Sequence, residues 1–289
     1  MPELPEVETV RLGLKPVLEG HTIAAAKIRR RDLRVPFPSR FAQRLKGRTV
    51  IRLARRAKYL LADLDNGETL VIHLGMSGRI SVYAQGSQRR LDGYVYNPPP
   101  KGAGASKHDH VVLWTDAPAM IVFNDPRRFG LMTLIPADRL GARFATLGIE
   151  PLSEGMDGAY LSSVLETRKT PIKAALLDQR LVAGLGNIYV CEALFLAHIS
   201  PKRRARSLKK HEISALVDTI KRVLAAAIEA GGSTLRNHAQ ATGDPGAFQH
   251  HLRVYGRAGR PCRNPNCCGM VKRIVQSGRA TFYCPACQH

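Results

Sequence analysis

The chain has 289 residues, which is enough for two ordinary domains that each bury a core of their own. Lys and Arg number 44 against 23 Asp and Glu, so the formal net charge is +21, while 44% of the residues are hydrophobic. This composition excludes a disordered basic tail and indicates a globular protein. A charge imbalance this large predicts a polyanionic partner, namely DNA, RNA or an anionic membrane surface.

The sequence argues against membrane insertion and export. Apolar runs such as residues 119–123 are far shorter than the roughly 20 residues of a membrane-spanning helix. The segment Met1-Pro2-Glu3-Leu4-Pro5-Glu6 carries acidic residues where a signal peptide has positive charge followed by an apolar stretch. We therefore expect a cytoplasmic protein with no membrane partner.

Positive charge is concentrated in three parts of the chain. Residues 245–289 contain no Asp or Glu, and further Lys and Arg cluster at residues 48–58 and 202–210. A single basic run is usually a solvated face, but three runs together with an acid-free C-terminal segment favour nucleic-acid binding.

The first half of the chain predicts one helix followed by a β-rich domain. Apolar residues recur every three or four positions from Leu4 to Leu18, which is typical of an amphipathic helix starting near Pro2. Asp65-Asn66-Gly67 separates two apolar runs and indicates a hairpin. Many short strands joined by turns predict an antiparallel sandwich or barrel, with residues 84–107 as a long surface loop. The predicted strands cover residues 49–53, 59–64, 69–74, 79–83, 110–115, 120–124 and 131–135.

After Pro136 the pattern becomes helical, so the chain is predicted to be an α+β multidomain protein with a boundary near residues 135–150. The Gly- and Pro-containing segment 231–247 follows the last helix and predicts a mobile loop. The predicted helices cover residues 138–146, 159–167, 171–177, 187–198 and 209–230.

Cysteines near the C-terminus predict a structural zinc site. Cys262 pairs with Cys267 or Cys268, and Cys284 pairs with Cys287, which gives the four thiolates of a tetrahedral zinc shell. Cys267 is the preferred second ligand because it leaves four intervening residues, whereas Cys268 leaves five. Disulfides are less favoured because nothing indicates export.

The segment between the two cysteine pairs predicts a β-ribbon, and two further cysteines lie outside the predicted zinc site. Residues 271–277 and 279–283 alternate like a two-stranded ribbon between the cysteine pairs. Cys268 is then a spare thiol, and Cys191 lies among apolar residues of a predicted helix, where a small core residue is the simpler interpretation.

Pro2 has a conventional and a chemical interpretation. Proline and acidic residues are favoured in the first turn of a helix, which explains Pro2 and Glu3 without any function. Removal of Met1 makes Pro2 a terminal secondary amine with a pKa near ~8, against ~10.4 for lysine, so far more of it is nucleophilic at neutral pH. Its iminium with a carbonyl carbon cannot lose the positive charge by deprotonation and acts as an electron sink.

The whole chain resembles the formamidopyrimidine-DNA glycosylases, bacterial base-excision repair enzymes for oxidised purines. The resemblance rests on motifs that occur in order, namely residues 2–9 (PELPEVET), 55–61 (RRAKYLL), 73–78 (HLGMSG), 107–110 (KHDH), 124–130 (NDPRRFG), 184–189 (GLGNIY), 254–257 (VYGR) and 279–284 (RATFYC). It implies an N-terminal catalytic β-sandwich flanked by helices (1–135), a linker (136–150), a helix–two-turn–helix DNA-binding domain (151–250) and a zinc finger (255–289).

The resemblance also implies a glycosylase that is at the same time an abasic-site lyase. Pro2 is expected to attack C1′ of the damaged nucleotide and form a Schiff base, with Glu3 as the general acid for opening of the sugar ring and Glu6 positioning nearby groups. Lys58 is expected to donate a proton during β-elimination. Arg279 acts in δ-elimination, and we interpret it as a phosphate clamp because arginine keeps its proton at pH 7.

Residues matching the family's DNA contacts fall into two groups. Glycosylases extract the target base from the stack, and side chains at Met76, Arg127 and Phe129 are expected to fill the gap. Core packing is the commoner role of Met and Phe, but Met76 lies between Gly75 and Ser77, which favours a loop tip. The expected contacts to the DNA backbone are His108, Arg127, Arg168 or its neighbour Lys169, and Asn187.

The expected cofactor is one structural Zn²⁺, and the expected partner is double-stranded DNA with oxidised bases, bound by a monomer. Two departures from the family pattern stand out: the four-residue spacing after Cys262, and Arg236 where relatives often carry Lys. The alternatives are an endonuclease VIII-like enzyme for oxidised pyrimidines, which typically has Gly at the position of Leu4, and a non-catalytic zinc-ribbon protein that binds nucleic acid.

Overall fold

The computed structural model describes residues 2–233 and 240–289. It divides into two compact units, one formed by Met1–Ala145 with Ala230–Ala247 and the other by Thr146–Glu229 with Phe248–His289. Among the described residues, no helix is both long enough and apolar enough to cross a membrane.

The first unit is a β-sandwich with helices at its margins. Its elements are α1 (Leu4–Leu18), β1 (Ile23–Ile28), α2 (Phe41–Leu45), β2 (Val50–Arg56), β3 (Tyr59–Leu64), β4 (Glu68–His73), β5 (Arg79–Ala84), β6 (Arg89–Leu91), β7 (Tyr94–Tyr96), β8 (Asp109–Thr115), β9 (Ala119–Asn124), β10 (Leu131–Pro136) and α3 (Ala137–Phe144).

Two four-stranded antiparallel sheets face one another across a single core. The strand orders are β1-β8-β9-β5 and β10-β4-β3-β2. Leu60 and Leu70 from one sheet and Val111 and Phe123 from the other belong to the same buried cluster, which also receives Leu14 of α1. Strand β9 is buried at every position and so does not alternate, yet the predicted strands are confirmed to within a few residues.

The segment predicted to be a long surface loop is partly ordered by tertiary contacts. Strands β6 and β7 form a short hairpin within residues 84–107, and the Tyr96 side chain is only 1% exposed. The Tyr96 hydroxyl donates a hydrogen bond to the carbonyl of Gly13 in α1, at 3.0 Å. The loop prediction was wrong at this hairpin because three-residue strands leave almost no periodic signal.

Strand β1 and helix α2 were also absent from the sequence prediction. Strand β1 is the run Ile23-Ala-Ala-Ala-Lys-Ile28, which lacks the β-branched alternation of an ordinary strand. It is ordered by its antiparallel register with β8, in which Ala26 is opposite Leu113. Pairing with a neighbour therefore outweighs local propensity here.

The second unit is helical and ends in a hairpin. Its main elements are α4 (Gly158–Leu165), α5 (Ile172–Leu177), α6 (Asn187–Leu196), α7 (Lys210–Glu229), β11 (Lys272–Gln276) and β12 (Arg279–Tyr283). Helix α6 is buried along its entire length from Ile188 to Phe195, and α7 presents the apolar face that its periodicity predicted. The predicted helices and the ribbon are confirmed.

The segment after α7 packs on the first unit where it is described. Val82 of β5 donates a backbone hydrogen bond to the carbonyl of Ala241 at 2.7 Å, and Ala241 is fully buried. Residues 234–239, which include Arg236, lie outside the described residues. The mobility predicted for the loop 231–247 therefore stays a prediction.

Replacing Tyr96 by Phe should lower the free energy of unfolding by about 1 kcal/mol, because a buried hydroxyl and its hydrogen bond to Gly13 are lost. Urea unfolding followed by circular dichroism measures the change. Tyr94→Phe is the matched control on the same hairpin, because the Tyr94 hydroxyl makes no hydrogen bond within the described ranges. Equal stability of the two variants would show that the hairpin is not anchored through Tyr96.

Candidate active site and DNA interface

The start of α1 buries two carboxyl side chains beside Pro2. Glu3 is 3% exposed and Glu6 is 2% exposed. Glu3 is the residue preceding the helix, and it forms a reciprocal capping box with Glu6, whose Oε2 accepts the Glu3 N–H at 2.9 Å. The Glu3 side chain accepts the N–H of Glu6 in return. The backbone next to Pro2 is therefore held rigidly by hydrogen bonds to carboxylates.

Glu6 also fixes the chain that follows α7. Its Oε1 accepts hydrogen bonds from the N–H of Ser233 at 2.9 Å and from the Ser233 hydroxyl at 3.0 Å. Gly232 has φ +80°, and its Cα lies so close that an added Cβ would be 3.3 Å from Glu6. Glu6 was expected as an acidic residue of the first helical turn, and its positioning role was implied only by the resemblance, since no local pattern indicates a partner 227 residues away.

Lys58 lies in the tight turn between β2 and β3 and is only 7% exposed. The preceding residue, Ala57, has φ +52°, a conformation that L-residues adopt rarely. An isolated lysine at a strand end is usually a solvated residue on a sheet edge, and the burial of Lys58 excludes that interpretation. Buried lysines are uncommon in proteins, and they are a frequent feature of catalytic sites.

His73 is a neighbouring residue that sequence analysis did not single out. Burial, together with the positive charge of Lys58, lowers the pKa of His73 to about 4. The imidazole is therefore neutral at pH 7, and its Nδ1 accepts the N–H of Gly75 at 3.1 Å. The proton of the neutral ring is then on Nε2. The ring also lies 4.7 Å from the Tyr59 ring, centroid to centroid.

The three expected void-filling residues lie on two loops of the first unit. Met76 is 44% exposed and Phe129 is 43% exposed, so neither serves as a core anchor. The guanidinium of Arg127 lies over the Phe129 ring at 4.7 Å from its centroid. His108 is half-buried beside the second loop, and its carbonyl accepts the N–H of Asp125 at 3.0 Å. The structure thus brings together four of the residues expected to touch DNA.

Arg279 belongs to the second unit, where it opens β12 on an exposed position. The turn before it, Ser277-Gly278, has positive φ at both residues, as expected for the tight turn of a two-residue hairpin. The next carbonyl, that of Ala280, accepts a hydrogen bond from Asn187 Nδ2 at 2.8 Å. Asn187 therefore contacts the backbone next to Arg279, in addition to starting α6.

A buried lysine supports the same hairpin. Lys173 is fully buried, and its Nζ donates to the Ala280 carbonyl at 3.1 Å and to Thr281 Oγ1 at 2.7 Å. Sequence analysis missed Lys173, because a single lysine in a predicted helix resembles any solvated cation. Its burial beside the hairpin is a purely tertiary feature.

The remaining expected backbone contacts and one further buried acid also lie in this unit. Arg168 is half-buried with its Nη1 4.0 Å from Asp178 Oδ2, and Lys169 is exposed. Glu192 is 2% exposed and accepts three backbone N–H groups, from Arg253 and the two residues after it, at 2.8 to 3.0 Å. Burial raises the pKa of Glu192, and the three donors hold the segment that contains Tyr255.

Four cysteines form a cluster whose geometry suits a metal ion. The sulfur atoms of Cys262, Cys267, Cys284 and Cys287 all lie within 4.8 Å of one another, and two Sγ–Sγ distances are 3.7 Å. Tetrahedral coordination with Zn–S bonds of ~2.3 Å requires Sγ–Sγ distances of about 3.8 Å, so this donor set fits zinc. Cys268 is exposed outside the cluster.

Two family models match this chain, one in each half of the sequence. The model of the formamidopyrimidine-DNA glycosylase N-terminal domain matches residues 1–132, and that of the formamidopyrimidine-DNA glycosylase H2TH domain matches residues 147–239. The chain belongs to the formamidopyrimidine-DNA glycosylase family. The resemblance identified from the sequence motifs is confirmed.

Relatives and solved structures match the whole chain. The formamidopyrimidine-DNA glycosylase of Cereibacter sphaeroides is 57% identical, and the match covers 100% of both chains. A Lactococcus lactis Fpg mutant in complex with DNA that contains Fapy-dG is 33% identical, with 100% of both chains covered and a TM-score of 0.84. The complex of Lactococcus lactis Fpg with abasic-site DNA is 32% identical, with the same coverage and the same TM-score.

The cysteine cluster predicts that substitution of Cys267 and substitution of the adjacent Cys268 have different effects on the metal content. Cys267→Ser should lower the metal content from one ion per chain towards zero, because a neutral hydroxyl replaces one of four thiolates. Cys268→Ser should keep one ion per chain. Elemental analysis of the purified variants measures both. Loss of metal from Cys268→Ser with retention in Cys267→Ser would contradict the arrangement of the cluster.

Proposed function

We propose that this chain is a bifunctional DNA glycosylase and abasic-site lyase of base-excision repair, which removes oxidised purines through a Schiff base on Pro2. The observation that carries the proposal is the start of α1, where two buried carboxyl groups adjoin Pro2. Membership of the family and the DNA complexes of its relatives support the same activity.

The proposed first stage joins Pro2 to the sugar, releases the base and opens the sugar ring. With Met1 removed, the lone pair of the Pro2 nitrogen attacks C1′ of the damaged nucleotide, and the base departs with the electrons of the glycosidic bond. The amine proton of Pro2 leaves with the departing base. Glu3 then donates a proton to the ring oxygen of the sugar, the C1′–O4′ bond breaks, and the nitrogen lone pair forms the C=N bond of an iminium between Pro2 and C1′. Glu6 orients this region through its hydrogen bonds to Glu3 and Ser233.

The proposed second stage cleaves the DNA strand. Loss of the C2′ proton sends electrons into the iminium and expels the 3′ phosphate, and a second elimination expels the 5′ phosphate. Lys58, buried in the β2–β3 turn, acts as proton donor in the first elimination. Arg279 stabilises the departing phosphate of the second elimination as a fixed cation.

Binding to damaged duplex is proposed to use both units. Met76, Arg127 and Phe129 occupy the gap that the extruded base leaves, and the partial exposure of Met76 and Phe129 supports this role. The phosphate backbone is contacted by the half-buried or exposed polar residues His108, Arg168, Lys169 and Asn187.

Zinc is proposed as the ion of the cysteine cluster, bound by Cys262, Cys267, Cys284 and Cys287 as one structural ion per chain. Its chemistry there is to crosslink the two ends of the ribbon through four thiolates. The functional division proposed for the chain is a catalytic domain (1–135), a linker (136–150), a helix–two-turn–helix domain (151–250) and a zinc finger (255–289). The protein is proposed to act as a monomer in the bacterial cytoplasm.

The identity of the nucleophile is tested by borohydride trapping on duplex DNA with an oxidised purine. Pro2→Gly should lose most of the covalent complex, because the obligately charged iminium of a secondary amine can no longer form. Lys58→Ala should still be trapped while strand cleavage slows. Mass spectrometry of the reduced adduct assigns the modified residue.

Three results of the trapping experiment would overturn parts of the proposal. Sugar attached to Lys58, with Pro2 unmodified, rejects the proline nucleophile. Absence of any covalent complex with the unaltered chain rejects the enzyme in favour of a non-catalytic binding protein. A preference for oxidised pyrimidines over oxidised purines rejects the assigned substrate class.

Phosphate contacts should dominate the affinity for undamaged duplex. The logarithm of the binding constant is expected to fall linearly with the logarithm of salt concentration, by about 0.9 for each phosphate contacted. Arg168→Gln should reduce this slope by about one contact. Lys101→Gln, an exposed site outside the expected contacts, is the control and should leave the slope unchanged. Affinity that does not depend on salt would contradict the proposed interface.

A further inference from the structure

The void-filling residues sit on two separate loops, residues 74–78 and residues 125–130. Met76 is on the first loop, and Arg127 and Phe129 are on the second. We propose that the carboxylate of Asp125 is a positioning group that locks these loops into one rigid wedge, so that extrusion of a paired base depends on Asp125. This inference rests on the proposed function and concerns base extrusion alone.

Asp125 is fully buried, and its two oxygens bind both loops. Oδ1 accepts the hydroxyl of Ser77 at 2.5 Å and the N–H of Arg127 at 3.3 Å, while Oδ2 accepts the N–H of Gly130 at 2.8 Å. The Ser77 oxygen in turn accepts the Arg127 N–H at 3.2 Å. One carboxylate therefore joins Ser77, the residue after Met76, to Arg127 and Gly130 of the loop that carries Phe129.

The contacts of Asp125 require a side chain that accepts hydrogen bonds at both oxygens. Every group that faces the two oxygens of Asp125 in these contacts is a donor, and a carboxylate is a pure acceptor. An asparagine side chain of the same size would direct an NH₂ group at the N–H or O–H donors on one side. The substitution Asp125→Asn therefore opposes donor to donor without changing volume.

The two loops also touch through their backbones. A Cβ built on Gly75, which has φ +64°, would lie 2.4 Å from the carbonyl carbon of Phe129. A Cβ on Gly130 would lie 3.1 Å from the carbonyl oxygen of His73 and 3.0 Å from Asp125 Oδ2. Glycine at these positions allows the close approach that the carboxylate then fixes.

Asp125 is itself anchored to the sandwich. Its N–H donates to the His108 carbonyl at 3.0 Å, and its carbonyl is bound by Nε2 of the buried His110 at 2.8 Å. His110 lies on β8, a central strand of its sheet. When DNA presses on the exposed side chains of the two loops, these hydrogen bonds hold the loops against strand β8.

A rigid wedge matters most when a base is paired and stacked. Extrusion of such a base costs a few kcal/mol, which the inserted side chains must offset. A preformed abasic site requires no base to be extracted. Loss of the wedge should therefore slow excision from duplex DNA and spare the chemistry at abasic sites.

The test compares Asp125→Asn with the unaltered chain in two single-turnover reactions. Excision of an oxidised purine paired in duplex DNA should slow by at least about tenfold, the factor expected when a charge-assisted hydrogen-bond network loses about 1.4 kcal/mol. Borohydride trapping on a preformed abasic site should stay within about twofold. Fluorescence of 2-aminopurine next to the lesion reports base extrusion directly, and its rise should be slowed to the same extent.

Control variants separate positioning from general destabilisation. Tyr96→Phe loses one buried hydrogen bond elsewhere in the same unit and should keep the unaltered ratio between the two reactions. Ser77→Ala removes one donor to Asp125 and should slow duplex excision by a smaller factor. If Asp125→Asn fails to fold, Ser77→Ala tests the proposal instead. Its rate of duplex excision relative to trapping on abasic DNA should fall below that of Tyr96→Phe.

Three outcomes would overturn the role of Asp125. They are unchanged duplex excision in Asp125→Asn, an equal loss in both reactions, and a Ser77→Ala ratio equal to that of Tyr96→Phe. Failure of the proposed function has a different signature, because the unaltered chain would then give no trapped complex on abasic DNA.

Discussion

The burial of Glu6 is the constraint on which the organisation of the first unit depends. A carboxylate that is 2% exposed is tolerated only when donors surround it, because burying a charge without partners is costly. The donors come from Glu3 at the start of α1 and from Ser233, far away in the sequence. The same hydrogen bonds that satisfy Glu6 thus define the backbone next to Pro2 and tie down the segment after α7.

Two other buried carboxyl groups also accept hydrogen bonds from backbone segments outside helices and sheets. Asp125 collects Ser77 and Gly130 from two loops, and Glu192 collects three consecutive backbone N–H groups of the segment containing Tyr255. In each case an acceptor-only side chain organises irregular backbone, whose donors have no partner in a helix or sheet. In a chain with a net charge of +21, these buried acids therefore act as fixed points for segments outside the regular helices and sheets.

In the second unit a buried lysine, Lys173, holds the backbone of the hairpin through hydrogen bonds. Lys173 and Asn187 both donate to the Ala280 carbonyl, so the residue after Arg279 is held from the helical part of the unit. The cysteine cluster fixes the other end of the same ribbon at Cys284 and Cys287. Arg279 is consequently an exposed side chain on a strand whose backbone is held at Ala280 and at Cys284, which suits the phosphate-stabilising role proposed for it.

The sequence by itself determined the class of fold, most strands and helices, the cysteine pairs and the family. These features have local signatures: periodicity, turn residues, ligand spacing and contiguous motifs. Only the tertiary structure decided that Lys58 is buried, that Tyr96 anchors a hairpin within an expected loop, and that Asp125 and Lys173 each join separate segments. The physical reason is that the effect of a buried polar group depends on donors and acceptors from distant parts of the chain, and these come together only when the chain has folded.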